Sequence, residues 1–481
     1  MSDPQNLSQS NSDDDADSAP ASAPAPSTKS RAKTLLLGAV AAVVVFVLAL
    51  PLSNYFLVRE KIDVNANDAG FVEVSKIMQQ SCADCHSPGL TAYPIYGQWP
   101  IAKDTIARDI AGGQDVFRLS KSQLSGAEPL STMDLAKVAT VVDSGSMPPP
   151  KYLMLHWNAV LTPSKRQAIL AYIQERQDDS GRALAAIPTN NPFQPDAKKV
   201  ALGEKLFSDK RLSVDNTVSC ASCHNLSTGG SDHEILSSGI KGQKSPVNTP
   251  TIFNAAFNSS QFWDGRTADL AEQVSEQIVN PEEMGSSFSQ ALAKLKGDTT
   301  YGALSEAAYG APLDQDKIKD AIVAYEKTLI TPNSAFDRYL GGDENALDAE
   351  QKRGYQLFME KGCASCHSGA AMGGLSFEKM GKARDYFAYR VNVLKMPMTA
   401  ADNGRFNVTK SPLDKGKFKV PLLRNVALTA PYFHDGSAKT LGEAVDIMGE
   451  YECGSKLSKD EISAIVSFLK SLTGELHGKK L

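Results

Sequence analysis

Hydrophobic residues recur with helical spacing in short segments of the chain, and long polar stretches separate these segments. Opening and closing segments alternate along the sequence, at 71–78, 166–173, 200–207, 318–329, 355–359 and 462–472. In the last segment Ile462, Ile465 and Leu469 fall on one face, which is typical of a helix with one buried side. The stretches between are rich in Gly, Pro, Asn and Ser, which favours loops over strands. The pattern predicts a mainly α-helical protein.

Residues suited to helix capping stand near the start of each closing segment, at Ser164, Asp314 and Ser458. Their side-chain oxygens can accept hydrogen bonds from the unpaired N–H groups of a first helical turn. One opening helix, one loop-rich middle and one closing helix therefore form a unit, and the chain length suits about three domains. We predict three units in tandem, at 59–187, 188–336 and 337–481. The Pro-rich stretch at 188–195 makes the first boundary clear, whereas the second is less sharp.

The amino-terminal residues depart from this plan. Residues 1–33 are rich in Asp, Ser, Ala and Pro, a composition that buries too little apolar surface to order itself, so we predict a disordered tail. Leu35 to Leu52 contains no charge, and its length approaches the roughly 20 residues of a membrane-spanning helix. Basic residues before it and acidic residues after it predict a cytoplasmic tail and a single-pass transmembrane anchor at 34–58. A cleaved signal peptide is the alternative, but no Ala-x-Ala site follows.

Composition narrows the function classes. The 481 residues are 42% hydrophobic and 22% charged, as in ordinary globular proteins, and a formal net charge of −5 argues against a nucleic-acid partner. Six of the seven cysteines fall into three copies of Cys-x-x-Cys-His, which begin 138 and 143 residues apart. The copies are Cys82-Ala-Asp-Cys85-His86, Cys220-Ala-Ser-Cys223-His224 and Cys363-Ala-Ser-Cys366-His367.

Each copy predicts a covalently bound haem c. Two thiols three residues apart can form thioethers to one porphyrin edge, and the adjacent histidine can then ligate the iron. Zinc is the alternative, but zinc requires four ligands and no second Cys/His pair accompanies the motifs. Bacterial haem attachment of this type is completed outside the cytoplasm, which agrees with periplasmic domains at a bacterial inner membrane. We therefore predict three cytochrome c-like haem domains in tandem after an N-terminal transmembrane helix, with Cys453 left over as a buried thiol.

The methionines are the candidates for the sixth ligand of each haem iron. A haem with histidine and methionine ligands is suited to electron transfer, whereas a haem without a sixth ligand can bind peroxide. In the first unit Met147 opens a rigid Met-Pro-Pro-Pro loop and is preferred to Met133. The second unit offers only Met284 after its motif, and no unambiguous sixth ligand is visible there. Spacing alone leaves five candidates open in the third unit: Met372, Met380, Met396, Met398 and Met448.

From the second motif onward, longer peptides resemble a known family. The motif itself and residues 245–251, 261–266 and 280–284 are similar to the peroxidatic half of bacterial dihaem cytochrome c peroxidases. Residues 420–434 resemble the electron-entry half, so that the resemblance covers about 280 residues in the same order. The additional first domain, with Met147-Pro-Pro and Leu155-His156-Trp157, is similar to the membrane-anchored trihaem quinol peroxidase branch.

This resemblance implies roles for individual residues. It makes His224 the proximal ligand of the peroxidatic haem and Trp263 the bridge between the two core haems. Glu283 becomes the distal acid/base, with Gln273 as its hydrogen-bonding companion. At the electron-entry haem it implies His367 and Met448 as the two iron ligands, which selects one of the five methionines.

The resemblance also implies a calcium ion between the two core domains. Its ligands would include Asn248 and the backbone oxygens of Thr429 and Pro431. A set made only of oxygen atoms suits Ca²⁺.

One position departs from many members of the family. They place a distal histidine in a Gly-His step that must move before peroxide can bind, and the matching residue here is Ile240. Isoleucine cannot ligate iron, so we expect the peroxidatic haem to be open without prior reduction. His233 is the nearest substitute, and a surface histidine is the preferred interpretation.

The resulting expectation is a peroxidase that reduces hydrogen peroxide to water. Electrons from membrane quinol would pass through the haem at His86 and Met147, then the haem at His367 and Met448, to the peroxidatic haem. The alternatives are a soluble c-type cytochrome as donor, a protein-oxidising relative of the methylamine dehydrogenase maturation enzyme, or a non-enzymatic electron relay. Retention of Met448 argues against the maturation enzyme, which has tyrosine there. The sequence leaves the oligomeric state open, a homodimer included.

Overall fold

The computed structural model describes residues 28–54, 60–64, 68–90, 94–130, 132–143, 145, 147–176 and 184–481. These residues are mainly helical, which confirms the predicted class. Helix α1 (Thr28–Ser53) precedes the three units. The first unit contains α2 (Ala69–Ser81), α3 (Ala83–His86), α4 (Pro100–Val116), α5 (Lys121–Ser125), α6 (Thr132–Asp143), α7 (Pro150–Leu153) and α8 (Pro163–Arg176).

The second and third units follow the same order of an opening helix, a haem motif and a closing helix. The second contains α9 (Ala197–Phe207), α10 (Cys220–Cys223), α11 (Leu270–Val279), α12 (Phe288–Leu295), α13 (Thr299–Tyr309) and α14 (Gln315–Glu326). The third contains α15 (Ala335–Leu340), α16 (Ala349–Glu360), α17 (Tyr386–Asn392), α18 (Phe406–Thr409), α19 (Leu441–Ile447) and α20 (Lys459–Lys470).

Strands are few and short in the described residues. Antiparallel β1 (Phe377–Lys379) and β2 (Lys417–Lys419) pair Phe377 with Lys419. The carboxyl-terminal β3 (Glu475–Leu476) and β4 (Lys479–Lys480) also pair antiparallel. Strands β1 and β2 place the segment that follows the third haem motif beside residues about forty positions later in the chain.

The structure does not support the predicted membrane anchor at 34–58. Helix α1 begins earlier, at Thr28, so that it includes three basic residues, and Pro51 lies in its last turn. Within the described ranges, the structure offers no helix with both the length and the apolar character needed to cross a membrane. Several large apolar side chains of α1 are nevertheless exposed: Leu36, Leu37, Val40, Val45, Leu48 and Leu52. Residues 1–27 of the predicted tail, and 55–59 beyond α1, lie outside the described residues.

Two of the three predicted helix starts are confirmed. Asp314 accepts a hydrogen bond from Lys317 N at the start of α14, and Ser458 accepts one from Glu461 N at the start of α20. The prediction at Ser164 was wrong, because α8 begins at Pro163. Proline suits the first helical position since its missing N–H would be unpaired there anyway, and Thr162 Oγ1 accepts the bond from Lys165 N.

Each unit has its own hydrophobic core, and in the second and third units the opening and closing helices contact through a glycine. A Cβ added at Gly203 of α9 would lie 1.9 Å from the carbonyl oxygen of Ala321 on α14. A Cβ added at Gly354 of α16 would lie 1.9 Å from the carbonyl oxygen of Ala464 on α20. The two units therefore repeat one close helix crossing, which fixes each haem motif relative to its closing helix.

Buried charged side chains join the units. Arg424 of the third unit is fully buried and donates to Ala185 O of the first at 2.8 Å, while it pairs with Asp337 Oδ1 of its own unit at 2.8 Å. Lys137 of α6 in the first unit pairs with Glu378 of β1 in the third at 2.5 Å, and both side chains are nearly buried. The domain boundary predicted at 336 falls inside α15, where Phe336 packs into the core of the third unit.

Adding a methyl group at the helix crossing tests the packing argument. We expect Gly203→Ala to lower the free energy of unfolding by about 1–3 kcal/mol, because the backbones of α9 and α14 must move apart. The matched control is Gly302→Ala on exposed α13, where an added Cβ meets nothing within 4 Å. The control should be neutral or stabilising by up to about 1 kcal/mol. Urea unfolding of the haem-loaded proteins measures both, and equal effects would refute the crossing.

Candidate active site

One cavity of about 730 Å³ lies between the second and third units. Residues of both haem motifs line it, together with most of the predicted site residues of these units: Cys220, Cys223, His224, Asn248, Trp263, Gln273, Glu283, Cys363, Cys366, His367, Thr429, Pro431 and Met448. The structure therefore brings two haem motifs, the proposed bridge and the proposed acid/base to a single enclosed space.

The three motif histidines share one hydrogen-bonding arrangement. His224 Nδ1 faces Gly230 O at 3.2 Å, and His367 Nδ1 faces Met372 O at 3.3 Å. His86 Nδ1 lies 3.0 Å from both Gly113 O and Phe117 O. A carbonyl oxygen only accepts, so each Nδ1 carries the proton and each Nε2 keeps its lone pair for a metal. Burial lowers the pKa of all three, to about 4 for His367, which favours the neutral ligand form.

The cavity fits haem in a second respect, because it contains buried polar atoms with no protein partner. Gln273 Oε1 and Glu326 Oε2 have no hydrogen bond within the described residues, although both side chains are at least nine-tenths buried. Leaving such atoms unpaired is costly, so a bound group with polar edges is expected beside them. Each pair of motif thiols also lies on one helical turn, as attachment to a single porphyrin edge requires.

Glu283 lies in the loop that follows α11. The helix ends at Asn280, before Pro281, since a residue preceding proline is disfavoured in helical conformation. Asn280 then closes the loop: its carbonyl accepts from Glu283 N at 3.1 Å, and its Nδ2 donates to Glu283 Oε1 at 3.2 Å. Burial raises the pKa of Glu283 to about 7, while nearby Arg266 opposes the shift. The carboxyl group is thus poised to gain or lose a proton near neutral pH.

Ile240 holds this loop from outside the cavity. Its N–H donates to Glu283 O at 2.9 Å, and its side chain is 4% exposed. A Cβ at Gly285 would lie 2.3 Å from Ile240 Cδ1, so the isoleucine fills the space over that glycine. Neighbouring Gly239 touches the backbone of Glu282, where no Cβ would fit. Ile240 is absent from the cavity lining, all of which lies in described residues.

The other candidate ligands of the second haem are His233 and Met284. His233 is exposed, and its Nδ1 and Nε2 each lie 2.9 Å from a carbonyl oxygen, of Ala430 and Thr228 respectively. Met284 is 5% exposed and packs into the core of the second unit, and it also lines the cavity. The surface interpretation of His233 agrees with these contacts.

Trp263 connects the second unit to a buried polar network of the third. Its Nε1 donates to Asn248 O at 2.8 Å, and its ring lies edge-on to His434 with centroids 6.3 Å apart. His434 donates from Nε2 to Asp402 Oδ1 at 2.8 Å, and Asp402 pairs with buried Arg390 at 2.5 Å. Burial raises the pKa of Asp402, but the hydrogen bonds from His434 and Arg390 outweigh this effect and hold the pKa well below its usual range.

The proposed calcium ligands belong to residues that line the cavity: Asn248, Thr429 and Pro431. Asn248 Nδ2 donates to Glu234 O at 2.9 Å, which leaves its Oδ1 available for a cation. No hydrogen bond among the described residues uses the carbonyl oxygens of Thr429 and Pro431. Oxygen atoms are the ligands that Ca²⁺ takes in proteins, and the calcium site stays a prediction.

Met448 begins a short π-helical turn, Met448–Glu452, after α19. Such turns are frequently found at functional sites. Met372 is completely buried and accepts through its backbone from His367, and Met398 is 49% exposed. Of the five candidate methionines, Met380 and Met448 line the cavity, whereas Met372, Met396 and Met398 are not among its lining residues. Cys453 lies against Cys363, whose thiol bonds to it and lowers its pKa.

The haem motif of the first unit is not part of the lining of this cavity. Gly113 of α4 packs on the motif, since a Cβ there would lie 3.1 Å from Cys85 O. Met147 is 38% exposed and precedes α7, and its role as iron ligand stays a prediction. The side chain of Met133 lies outside the described residues.

Sequence reasoning missed three charged groups in the cavity lining. Burial raises the pKa of Glu326 to about 8 and lowers the pKa of Lys419 to about 8. Arg266 stacks on the Phe262 ring at 3.5 Å and faces Glu283. The signal for Arg266 was present in the peptide at 261–266, but nothing in the sequence marks Glu326 or Lys419 as buried.

Family models match each unit. The di-haem cytochrome c peroxidase model matches residues 197–345, a haem-binding domain model matches 41–175, and a cytochrome c model matches 351–473. Among solved structures, a MauG-like protein associated with microbial copper homeostasis is 30% identical, with a TM-score of 0.52 over 60% of this chain and 93% of that chain.

Curated relatives extend over more of the chain. Cytochrome c peroxidase Ccp of Escherichia coli (strain K12) is 43% identical over 410 residues, 83% of this chain and 86% of that protein. Cytochrome c551 peroxidase of Pseudomonas aeruginosa is 45% identical over 277 residues, 57% of this chain and 78% of that protein. Similarity of this extent, over a cavity built from two haem motifs, shows that the chain belongs to the di-haem cytochrome c peroxidase family and is an oxidoreductase that acts on peroxide through haem.

Proposed function

We propose that this protein reduces hydrogen peroxide to water in the periplasm with two electrons from membrane quinol. The electrons enter at a third haem in the first unit, cross to the third unit, and reach an open haem in the second unit. The observation that carries this route is the docking of α6 directly on the haem motif of the third unit, held by the Lys137–Glu378 pair.

The cysteine pairs and histidines of the three motifs would hold the haems, with Met147 and Met448 completing the two electron-transfer sites. Haem bound in the second unit supplies the iron at which peroxide is reduced. Ile240 supports an open site there, because its side chain packs on Gly285 outside the cavity. A calcium ion at Asn248, Thr429 and Pro431 would join the loops of the two core units.

Glu283 moves the proton that the reaction requires. Its carboxylate accepts a proton from one peroxide oxygen and returns it to the other, so that the second oxygen leaves as water. The full change is H₂O₂ + 2 e⁻ + 2 H⁺ → 2 H₂O. Asn280 fixes the carboxyl group through Oε1, and Gln273 offers an unpaired Oε1 that accepts from the substrate.

Trp263 occupies the path between the two core units. Its indole is anchored on Asn248 O, and its backbone carbonyl accepts from Lys419 N at 2.8 Å, so that residues from both units fix the ring. A rigid aromatic group in van der Waals contact with both sides shortens the distance that an electron must cross.

Quinol is proposed as the donor because α1 exposes apolar side chains, Leu37 at 70% and Val45 at 67% among them, as a segment in contact with lipid would. Attachment to the membrane would keep the first haem unit close to a lipid-soluble reductant. A soluble cytochrome is the second candidate, favoured by the name of the Pseudomonas aeruginosa relative.

The proton-transfer role predicts a pH dependence. Burial raises the pKa of Glu283 to about 7, so the carboxylate form that accepts the proton is lost as the pH falls through that value. We expect kcat/KM for peroxide to be level above about pH 8 and to fall about tenfold per unit below about pH 6. Glu283→Gln should keep its haems, lose this dependence and lower turnover about 10²–10⁴-fold. Glu282→Gln, the exposed neighbour, serves as control, and equal losses in both variants would contradict the role of Glu283.

The docking of the first unit predicts a charge-swap effect. Lys137→Glu places two carboxylates together at a nearly buried position, which we expect to slow electron transfer from the first unit at least about tenfold. The double variant Lys137→Glu/Glu378→Lys should recover most of the rate. Lys121→Glu breaks an exposed pair with Glu60 on the same unit and should have little effect. Stopped-flow oxidation of the first haem by peroxide measures the rate, and absence of recovery in the swap would exclude this interface.

The donor is tested with purified, detergent-solubilised enzyme. Peroxide-dependent oxidation of a short-chain quinol is expected to proceed faster than oxidation of any reduced small c-type cytochrome. Turnover with the cytochrome alone would replace quinol by the soluble donor and leave the peroxidase chemistry in place.

A further inference from the structure

The junction between α1 and the first unit contains a buried hydrogen-bond chain. Asn54, the residue after α1, donates from Nδ2 to Tyr96 Oη at 3.2 Å and to Leu155 O at 2.5 Å. Tyr96 Oη lies 3.3 Å from His156 Nε2, and His156 Nδ1 lies 3.0 Å from Tyr152 O. Since a carbonyl only accepts, Nδ1 donates to Tyr152 O, and in the tautomer protonated only there Nε2 accepts from the tyrosine hydroxyl. The chain therefore runs from Asn54 through Tyr96 to Nε2 of His156.

Two amide oxygens at this junction lack donors. Asn54 Oδ1 and Asn158 Oδ1 are both inaccessible to solvent and have no hydrogen-bond partner among the described residues. Asn54 is completely buried, and its own Nδ2 group is already engaged. Two buried acceptors without donors are expected to be satisfied by a ligand that brings hydroxyl groups.

Exposed apolar side chains surround the same residues. Trp99 is 43% exposed and its ring contacts Tyr96 edge-on, while Trp157, next to His156, is 42% exposed. Met154 is 71% exposed, and its carbonyl accepts from Trp157 Nε1 at 3.1 Å. Indoles with one apolar face in the open are suited to contact a flat ring or the edge of a lipid layer. Leucines and valines of α1 are exposed as well.

The cluster is connected to the first haem motif. The His156 ring stacks on Tyr152 with centroids 3.8 Å apart and planes at 5°. Tyr152 Oη donates to Asp84 Oδ2 at 2.8 Å, and Asp84 lies between the two motif cysteines Cys82 and Cys85. One aromatic ring, that of Tyr152, and one hydrogen bond thus lie between His156 and Asp84 of the first haem motif.

We propose that Asn54, Tyr96, His156, Trp157 and Asn158 form the binding site for the headgroup of a lipid-soluble hydroquinone. This inference rests on the proposed function, in which quinol is the donor. One ring hydroxyl donates to Asn158 Oδ1, and the other is shared between Asn54 Oδ1 and Tyr96 Oη. The indole covers the ring, and the isoprenoid tail follows the apolar side chains of α1.

Oxidation of the hydroquinone at this site balances in electrons and protons. The hydroquinone loses two electrons and two protons and becomes the quinone. One proton passes through the Tyr96 hydroxyl to His156 Nε2, and the other leaves to water. The electrons cross the stacked rings one at a time and are consumed by peroxide, so that the sum is QH₂ + H₂O₂ → Q + 2 H₂O.

Two variants separate binding from proton transfer. Tyr96→Phe keeps the ring but removes the relay hydroxyl, so kcat with a short-chain quinol should fall at least tenfold while KM stays within twofold. Trp157→Ala removes an exposed side chain and should raise KM at least fivefold. Calorimetric binding of the oxidised short-chain quinone should weaken to the same extent in Trp157→Ala and remain nearly unchanged in Tyr96→Phe. His477→Gln, an exposed histidine on the carboxyl-terminal hairpin, is the matched control and should change neither quantity.

A second reductant distinguishes a loss at the proposed quinol site from damage to the haems. Peroxide turnover driven by ascorbate with a small soluble mediator reports on the haems without the quinol site, and it should equal wild type in all three variants. Quinol kinetics and quinone binding unchanged in both Tyr96→Phe and Trp157→Ala would overturn the site while leaving quinol as donor. If wild type itself oxidises no quinol, the donor proposal fails first and this site falls with it.

Discussion

The proposed catalysis depends on how the loop that follows α11 is held beside the second haem motif. Ile240 donates its N–H to the carbonyl of Glu283 and seats its side chain over Gly285, so that it supports the loop from outside the cavity. The same loop presents the Glu283 carboxyl group to the interior, where burial brings its pKa to about 7. A coordinating side chain at position 240 would have to leave this packing to reach the iron. The packing therefore links the two properties that we propose for the site, an open coordination position and a proton-transfer group near neutrality.

Electron supply depends on contacts between units rather than within them. The cores of the three units are separate, but buried charged side chains join them. Arg424 of the third unit donates to Ala185 O of the first, and Lys137 of the first unit pairs with Glu378 of the third. Breaking a buried pair leaves an uncompensated charge, so these contacts favour a single relative arrangement of the units. Trp263 occupies the remaining gap, fixed by Asn248 on one side and by the buried network around His434 on the other. A fixed arrangement suits a protein in which electrons must cross two unit boundaries.

Much of this arrangement follows from local sequence, and the failures have physical causes. The helical class and the caps at Asp314 and Ser458 depend on residues close in sequence, and these predictions are confirmed. Haem binding was also predicted from local motifs, and the family models support it. The cap at Ser164 was wrong because Pro163 starts α8 one residue earlier. The anchor at 34–58 was inferred from hydropathy and charge, and the structure does not support it. The buried charges of Glu326 and Lys419 were missed, because burial is produced by packing among distant segments and leaves no local pattern.

The resting state of the second haem tests the central claim most directly. Electron paramagnetic resonance of the fully oxidised holoenzyme, recorded with and without hydrogen peroxide, distinguishes five-coordinate from six-coordinate iron. The account predicts two low-spin haems and one high-spin haem, with the high-spin signal lost on adding peroxide and no reductant required. Three low-spin signals that respond to peroxide only after one-electron reduction would show a protein ligand on the second iron and would contradict the account.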